Sequence, residues 1–145
     1  MNQERAEQIT LMLMRVVAGL LFMMHGAAIL FGWFGGMPGD AKVQLMSQQG
    51  IGGILEFFGG ILIMLGLATR VAAFILSGVM AVAYFQFHQP MGTIPIQNHG
   101  EPAVLFCFLF LYLAARGAGV FSLDALFAKN RSGHGMPTGR PAIQI

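Results

Sequence analysis

Four long apolar stretches, at about residues 9–32, 51–67, 71–87 and 102–116, leave this chain few folds to choose from. A helix needs ~20 apolar residues to cross the hydrocarbon core of a bilayer. Inside that core every backbone N–H and C=O must be satisfied within the protein, which leaves helices or a closed barrel. Composition agrees. The chain is 56% hydrophobic and 10% charged, whereas soluble domains carry roughly 25% charged residues. The expectation is an all-α integral membrane four-helix bundle, with helices at about 9–32, 51–67, 71–88 and 101–120. Residues 1–128 then form one domain, and 129–145, rich in Ser, Gly and Pro, a flexible tail. Glu4 and Glu7 offset Arg5, and Arg15 interrupts the first apolar run, so this run reads as a retained span and not a cleaved leader.

The cations set the orientation. Arg5, Arg15, Arg70, Arg116, Lys129, Arg131 and Arg140 belong to the termini and the short second connection, and only Lys42 belongs to the other two connections. The positive-inside rule places both termini in the cytoplasm of a bacterial inner membrane. Arg15, Arg70 and Arg116 read as anchors whose heads snorkel to the interface, with Asp124 as a partner, and Thr69 reads as the cap of the third helix. The longer connections, about 34–50 and 89–102, cap the outer end, where Phe31, Trp33 and Phe34 suit the interface. The charge is too small and too dispersed for a nucleic-acid face. A single cysteine, Cys107, excludes an internal disulfide or dithiol.

Ionisable residues inside apolar runs are costly and are therefore site candidates. In an up-and-down bundle His25, Glu56, His88, His99 and Glu101 fall toward one side of the membrane. Arg15 and His25 lie ~15 Å apart along the first helix, at 1.5 Å per residue. Gly52, Gly59 and Gly66 recur every seven residues, shadowed by Gly53 and Gly60, a stripe that admits a second helix closely. Glu56 shares that face and points inward. Tyr84 and His88 share a polar face on the third helix. Each has a plain structural reading as well: a buried carboxyl paired with a histidine, a solvated loop histidine, or, for Glu101, a carboxylate at the positive end of a helix dipole.

Imidazoles and carboxylates beneath a loop cap suit three roles. They hydrogen-bond a quinone head group and exchange its protons, they ligate a metal, or they order loops that dock another protein. No tight ligand spacing marks a metal site, and no metal is assigned. No nucleotide or nucleophile-elbow motif is present.

Several runs carry a family likeness. His25-Gly26 with Leu30-Phe31-Gly32-Trp33-Phe34-Gly35-Gly36, then Glu56-x-x-Gly59-Gly60 and Gly66-Leu67-x-Thr69-Arg70, resemble the first and second helices of the DoxX family of small bacterial membrane proteins. Met80 to Phe85 with His88 and Pro90, Pro95-Ile96-x-Asn98-x-Gly100-Glu101, and Gly117-x-Gly119-x-x-Ser122-Leu123-Asp124 continue the likeness in order. It implies a four-helix inner-membrane protein. It also implies a link to thiosulfate:quinone oxidoreduction, to terminal oxidases or to thiol-linked stress defence. Ile29 stands where the family usually has a lysine, His99 where glycine is common, and Pro102 where an aliphatic residue is usual. The missing cation argues against an anionic donor such as thiosulfate.

The resulting expectation is a redox-associated membrane protein that binds quinone or supports a partner oxidoreductase. Glu56 and Glu101 relay protons, and His25, His88 and Tyr84 hold the head group. The alternative is a non-catalytic assembly or stress-response subunit that docks a partner protein through its outer loops.

Overall fold

The computed structural model describes residues 2–36 and 43–132, which are all-helical with no strand. The order is α1 (Gln3–Phe31), a short 3-10 turn (Trp33–Gly35), α2 (Gln48–Leu65), α3 (Thr69–Ala83), α4 (Glu101–Arg116) and α5 (Leu123–Ser132). From α3 the chain continues through a π-helical turn (Tyr84–His88) and a 3-10 turn (Gln89–Met91). Three helical segments are long and apolar enough to cross a membrane: Gln3–Phe31, Gln48–Leu65 and Thr69–Met91. α4, with 16 residues, falls short of that length. Lys42, Arg140 and most of the expected tail lie outside the described residues.

Local chemistry explains where the helices begin and end. α1 starts at Gln3, two turns before its apolar run, because the Asn2 side chain accepts the Arg5 N–H and satisfies an orphan donor of the first turn. α1 closes at Gly32 (φ 68°) and α2 at Gly66 (φ 68°), both left-handed as glycine allows. Ser47 accepts the Gly50 N–H and starts α2 three residues before the apolar run. α4 stops at Arg116 instead of continuing to Val120, since Gly117 turns to φ 83°. The chain then forms α5, which runs to Ser132 and into the segment expected as tail.

Backbone contact, more than apolar bulk, joins α1 to α2. A methyl group built on Gly19 would lie 2.6 Å from the Gly60 carbonyl oxygen, and one on Gly26 would lie 2.7 Å from that of Gly53. The pairs run in opposite directions, so the two helices are antiparallel and meet along glycines seven residues apart. In lipid, where apolar burial drives little helix association, such close approach supplies dispersion contact. The expected stripe is therefore divided. Gly53 and Gly60 form the seam, Gly59 faces Leu76 of α3, Gly52 faces open space and Gly66 is the cap. α3 and α4 are pinned where Ser77 Oγ donates to the Cys107 carbonyl at 2.9 Å. Phe22 of α1 packs edge-on against Phe106 and Phe110 of α4, with centroids at 4.9 and 4.6 Å. The core thus runs through Phe22, Ile63, Leu76, Phe110 and Leu113. Large apolar side chains such as Leu13, Phe74, Phe85, Leu105 and Phe108 face outward.

The arginines differ from expectation. Arg15 is only 2% exposed. Its Nη1 donates to the Ile63 and Met64 carbonyls at 2.7 and 2.8 Å, and its Nη2 donates to Phe121 at 2.7 Å. It is an internal clamp on the end of α2, not an interfacial anchor, because carbonyls freed at a helix end are available acceptors. Arg70 remains exposed but caps α4, donating to Ala114 and Ala115 at 3.2 and 2.6 Å. Asp124 partners the start of α3: its carboxylate oxygens accept the Ala68 and Thr69 N–H groups at 2.7 and 3.0 Å. The buried Thr69 hydroxyl has no partner among the described residues, and the expected cap of α3 comes from Asp124.

Candidate functional site

The α1–α2 seam positions one pair of titratable side chains. His25 precedes Gly26, and Glu56 precedes Phe57, whose backbone N lies against Gly26. Because the backbones touch at this point, the two short side chains bridge the groove between the helices. His25 Nδ1 and Glu56 Oε2 are 2.7 Å apart, and the side chains are 59% and 6% exposed. With Nδ1–H donating to the carboxylate, Nε2 is left as the imidazole's other polar atom, on a largely exposed ring. A carboxylate this deeply buried depends on its partner, since an unpaired charge there is strongly disfavoured. The arrangement is an exposed imidazole backed by a buried carboxyl group.

A second group forms where α3 loosens. Tyr84, Gln86 and His88 belong to the π-helical turn, a distortion that frequently accompanies functional positions. The Tyr84 and His88 rings stack with centroids 6.4 Å apart, and Tyr84 Oη donates to the Thr93 carbonyl at 3.4 Å. His88 Nδ1 donates to the Asn98 carbonyl at 3.0 Å. Asn98, 1% exposed, organises the whole connection: Nδ2 donates to the Gly92 carbonyl at 2.6 Å, and Oδ1 accepts the Gly100 N–H at 2.8 Å. Gly100 has no room for a side chain, with Tyr84 and Asn98 each 2.7 Å from where a methyl would stand.

The structure thus brings His25 to Glu56 and Tyr84 to His88. No hydrogen bond, ion pair or ring contact joins the two groups among the described residues. The Gln48 and Gln86 amides do hydrogen-bond, setting the π-helical turn beside the first turn of α2, the helix that carries Glu56. Glu101 is exposed in the first turn of α4, and His99 is exposed with φ 56°. Among the described residues no three His, Cys, Asp or Glu side chains gather as they would around a metal ion. Ile29 is 8% exposed and packs on Gly53.

Sequence reasoning missed the part played by Asn98. The available signal was its place two residues before a glycine, where an Asn side chain mimics a backbone turn. Asn98→Ala is expected to strip the connection of two hydrogen bonds, one buried and one part-buried, and lower stability by about 1–3 kcal/mol. Thermal unfolding in detergent checks this, and an unchanged midpoint would count against Asn98 as organiser.

Comparison with known proteins gives a consistent group. The DoxX family model matches residues 10–89. An uncharacterized protein of Haemophilus influenzae is 40% identical over 131 residues, covering 88% of this chain and 98% of that protein. The Escherichia coli protein named "Inner membrane protein YqjF" is 27% identical, over 87% of this chain and 98% of its own length. The Bacillus subtilis protein named "Putative oxidoreductase CatD" is 26% identical, over 86% and 91%. No solved structure gives a significant match.

Proposed function

The chain belongs to the DoxX family of membrane proteins, and from that premise we propose a redox-associated role, in which the His25–Glu56 pair binds a quinone head group and takes up the protons of its reduced, quinol form. The observation that carries this reading is the 2.7 Å bond between a buried carboxylate and an exposed imidazole. The hydroxyl of a reduced quinone donates to Nε2, the imidazole accepts the proton, and Glu56 stabilises the imidazolium that results. Oxidising the quinol to the quinone gives up two electrons, which pass to a partner oxidoreductase, and a second proton, which the same imidazole accepts once the first has left to water. Tyr84 and His88 extend the head-group site, and Glu101 offers a second carboxylate on the same end of the bundle. The name of the Bacillus relative supports a redox context.

The same reading makes this an inner-membrane protein with four spanning helices, α4 being the fourth. Both termini lie in the cytoplasm, and the His25–Glu56 end faces outward. The cation distribution supports this orientation.

Glu56→Gln keeps the shape and a hydrogen bond but removes the charge. Quinone extracted from the purified protein is expected near stoichiometric for the parent and about tenfold weaker in affinity for the variant, the contribution of one charge-assisted hydrogen bond. Equal, lipid-background quinone in both would overturn the assignment and favour the alternative, a non-catalytic subunit whose loops dock a partner protein.

A further inference from the structure

Toward the opposite end of the bundle from His25 and Glu56, a cavity of about 470 Å³ opens between the start of α3 and the stretch joining α4 to α5. Its walls include Thr69, Arg70, Arg116, Gly117, Asp124 and Ala125. Among the described residues Arg70 donates only to neutral carbonyls. Neither Arg70 nor Arg116 has a carboxylate within ion-pair distance among the described residues. Asp124 is the one acid in the wall, and its oxygens are engaged by the Ala68 and Thr69 N–H groups. Two guanidiniums against one carboxylate leave the cavity positive. A guanidinium carries five N–H donors, so Arg70 retains donors beyond the three bonds it makes. The Thr69 hydroxyl, unpartnered among the described residues, belongs to the same wall.

An independent feature adjoins this cavity. Beyond α4 the chain exposes large apolar side chains: Val120 61%, Phe121 46%, Leu126 51% and Phe127 51%. On α5 the last two stand close to Lys129 and Arg131. Apolar side chains next to cations, outside a spanning segment, suit the membrane interface, where the chains reach lipid and the cations reach headgroups. A positive cavity beside an interfacial apolar surface meets both parts of a lipid.

We propose that this cavity binds the phosphodiester headgroup of an anionic phospholipid. Arg70 and Arg116 hold the phosphate oxygens, and the apolar side chains of the α4–α5 stretch lie along the acyl chains. Guanidinium suits this task because its planar fork matches two phosphate oxygens at once. The net positive charge selects anionic over zwitterionic lipid, whose ammonium the same arginines repel. Inorganic phosphate shares the headgroup chemistry but does not use the apolar surface.

The test is native mass spectrometry of the full chain in mild detergent, titrated separately with phosphatidylglycerol, phosphatidylcholine and inorganic phosphate. The parent is expected to retain phosphatidylglycerol about tenfold better than phosphatidylcholine. Arg116→Gln, which removes no hydrogen bond of the described fold, is expected to abolish that preference, and Arg116→Lys to restore part of it. Arg70→Gln should act likewise but also loosens α4, so circular dichroism accompanies it. Equal retention of the two lipids by the parent, or an unchanged preference in Arg116→Gln, would overturn the proposal. So would inorganic phosphate that binds but is not displaced by phosphatidylglycerol, which would assign the arginines to a soluble anion.

Discussion

Arg15→Leu is expected to lower unfolding stability by about 2–4 kcal/mol, a large loss for one side chain. The guanidinium is 2% exposed and holds three carbonyls, at Ile63, Met64 and Phe121. Ile63 keeps a second donor in the Gly66 N–H. The Met64 and Phe121 carbonyls, both part-buried, take their side-chain donor from Arg15. Losing them loosens the end of α2 from the α4–α5 stretch, which the Asp124 N–H still holds at the Gly66 carbonyl. A leucine relieves the desolvation of the charge, which caps the loss below the sum of three bonds. Arg15→Lys should recover part of the stability, since one ammonium reaches fewer of three diverging acceptors. Thermal unfolding in detergent, read by circular dichroism, distinguishes the three proteins. If Arg15→Leu melts with the parent, the clamp carries no weight.

Gly26→Ala is the second large effect, and it links packing to the site. The new methyl would stand 2.4 Å from the Phe57 nitrogen and 2.7 Å from the Gly53 oxygen, and backbone cannot rotate away as a side chain does. The helices must separate by a substantial fraction of an ångström, at about 1–3 kcal/mol. His25 and Glu56 flank that contact, so their 2.7 Å bond must lengthen with it. Gly26→Ala is therefore expected to lose stability and also to reproduce the quinone loss of Glu56→Gln. Gly52→Ala supplies the control: the site of its methyl is open, so stability and quinone content should hold at parental values. Equal behaviour of the two alanine variants would show that the glycine seam does not set the site.

Parts of the site can be read from residue order alone. Glu56 stands out because a carboxylate inside an apolar run needs a reason, and its spacing from the glycines places it on the seam. Its pairing with His25 is one of several arrangements open to it. The helical periodicity that puts Tyr84 and His88 on one face holds for an α-helix. Here the chain widens to a π turn at that point, and the two rings stack within it. Asn98 is visible as part of a motif, but not as the residue whose amide and carbonyl gather Gly92, Gly100 and His88. Hydrogen bonds of that kind join residues by position in space, and no periodicity records them.

Everything that hinges on neighbours along the chain was present in the amino-acid sequence. Apolar runs of spanning length demanded helices, since a peptide group without water must bond within its own segment. Asn2, Ser47, Gly32, Gly66 and Gly117 fixed helix ends through local geometry. Tertiary structure decided what distant neighbours do. It divided the glycine stripe among a seam, a flank, an open face and a cap, according to which helix lay opposite. It also turned Arg15 inward, onto carbonyls 48 and 106 positions away. The same guanidinium at the same helical depth snorkels if water is the nearest acceptor and clamps if a broken helix end is. Only the packed arrangement says which acceptor is nearer.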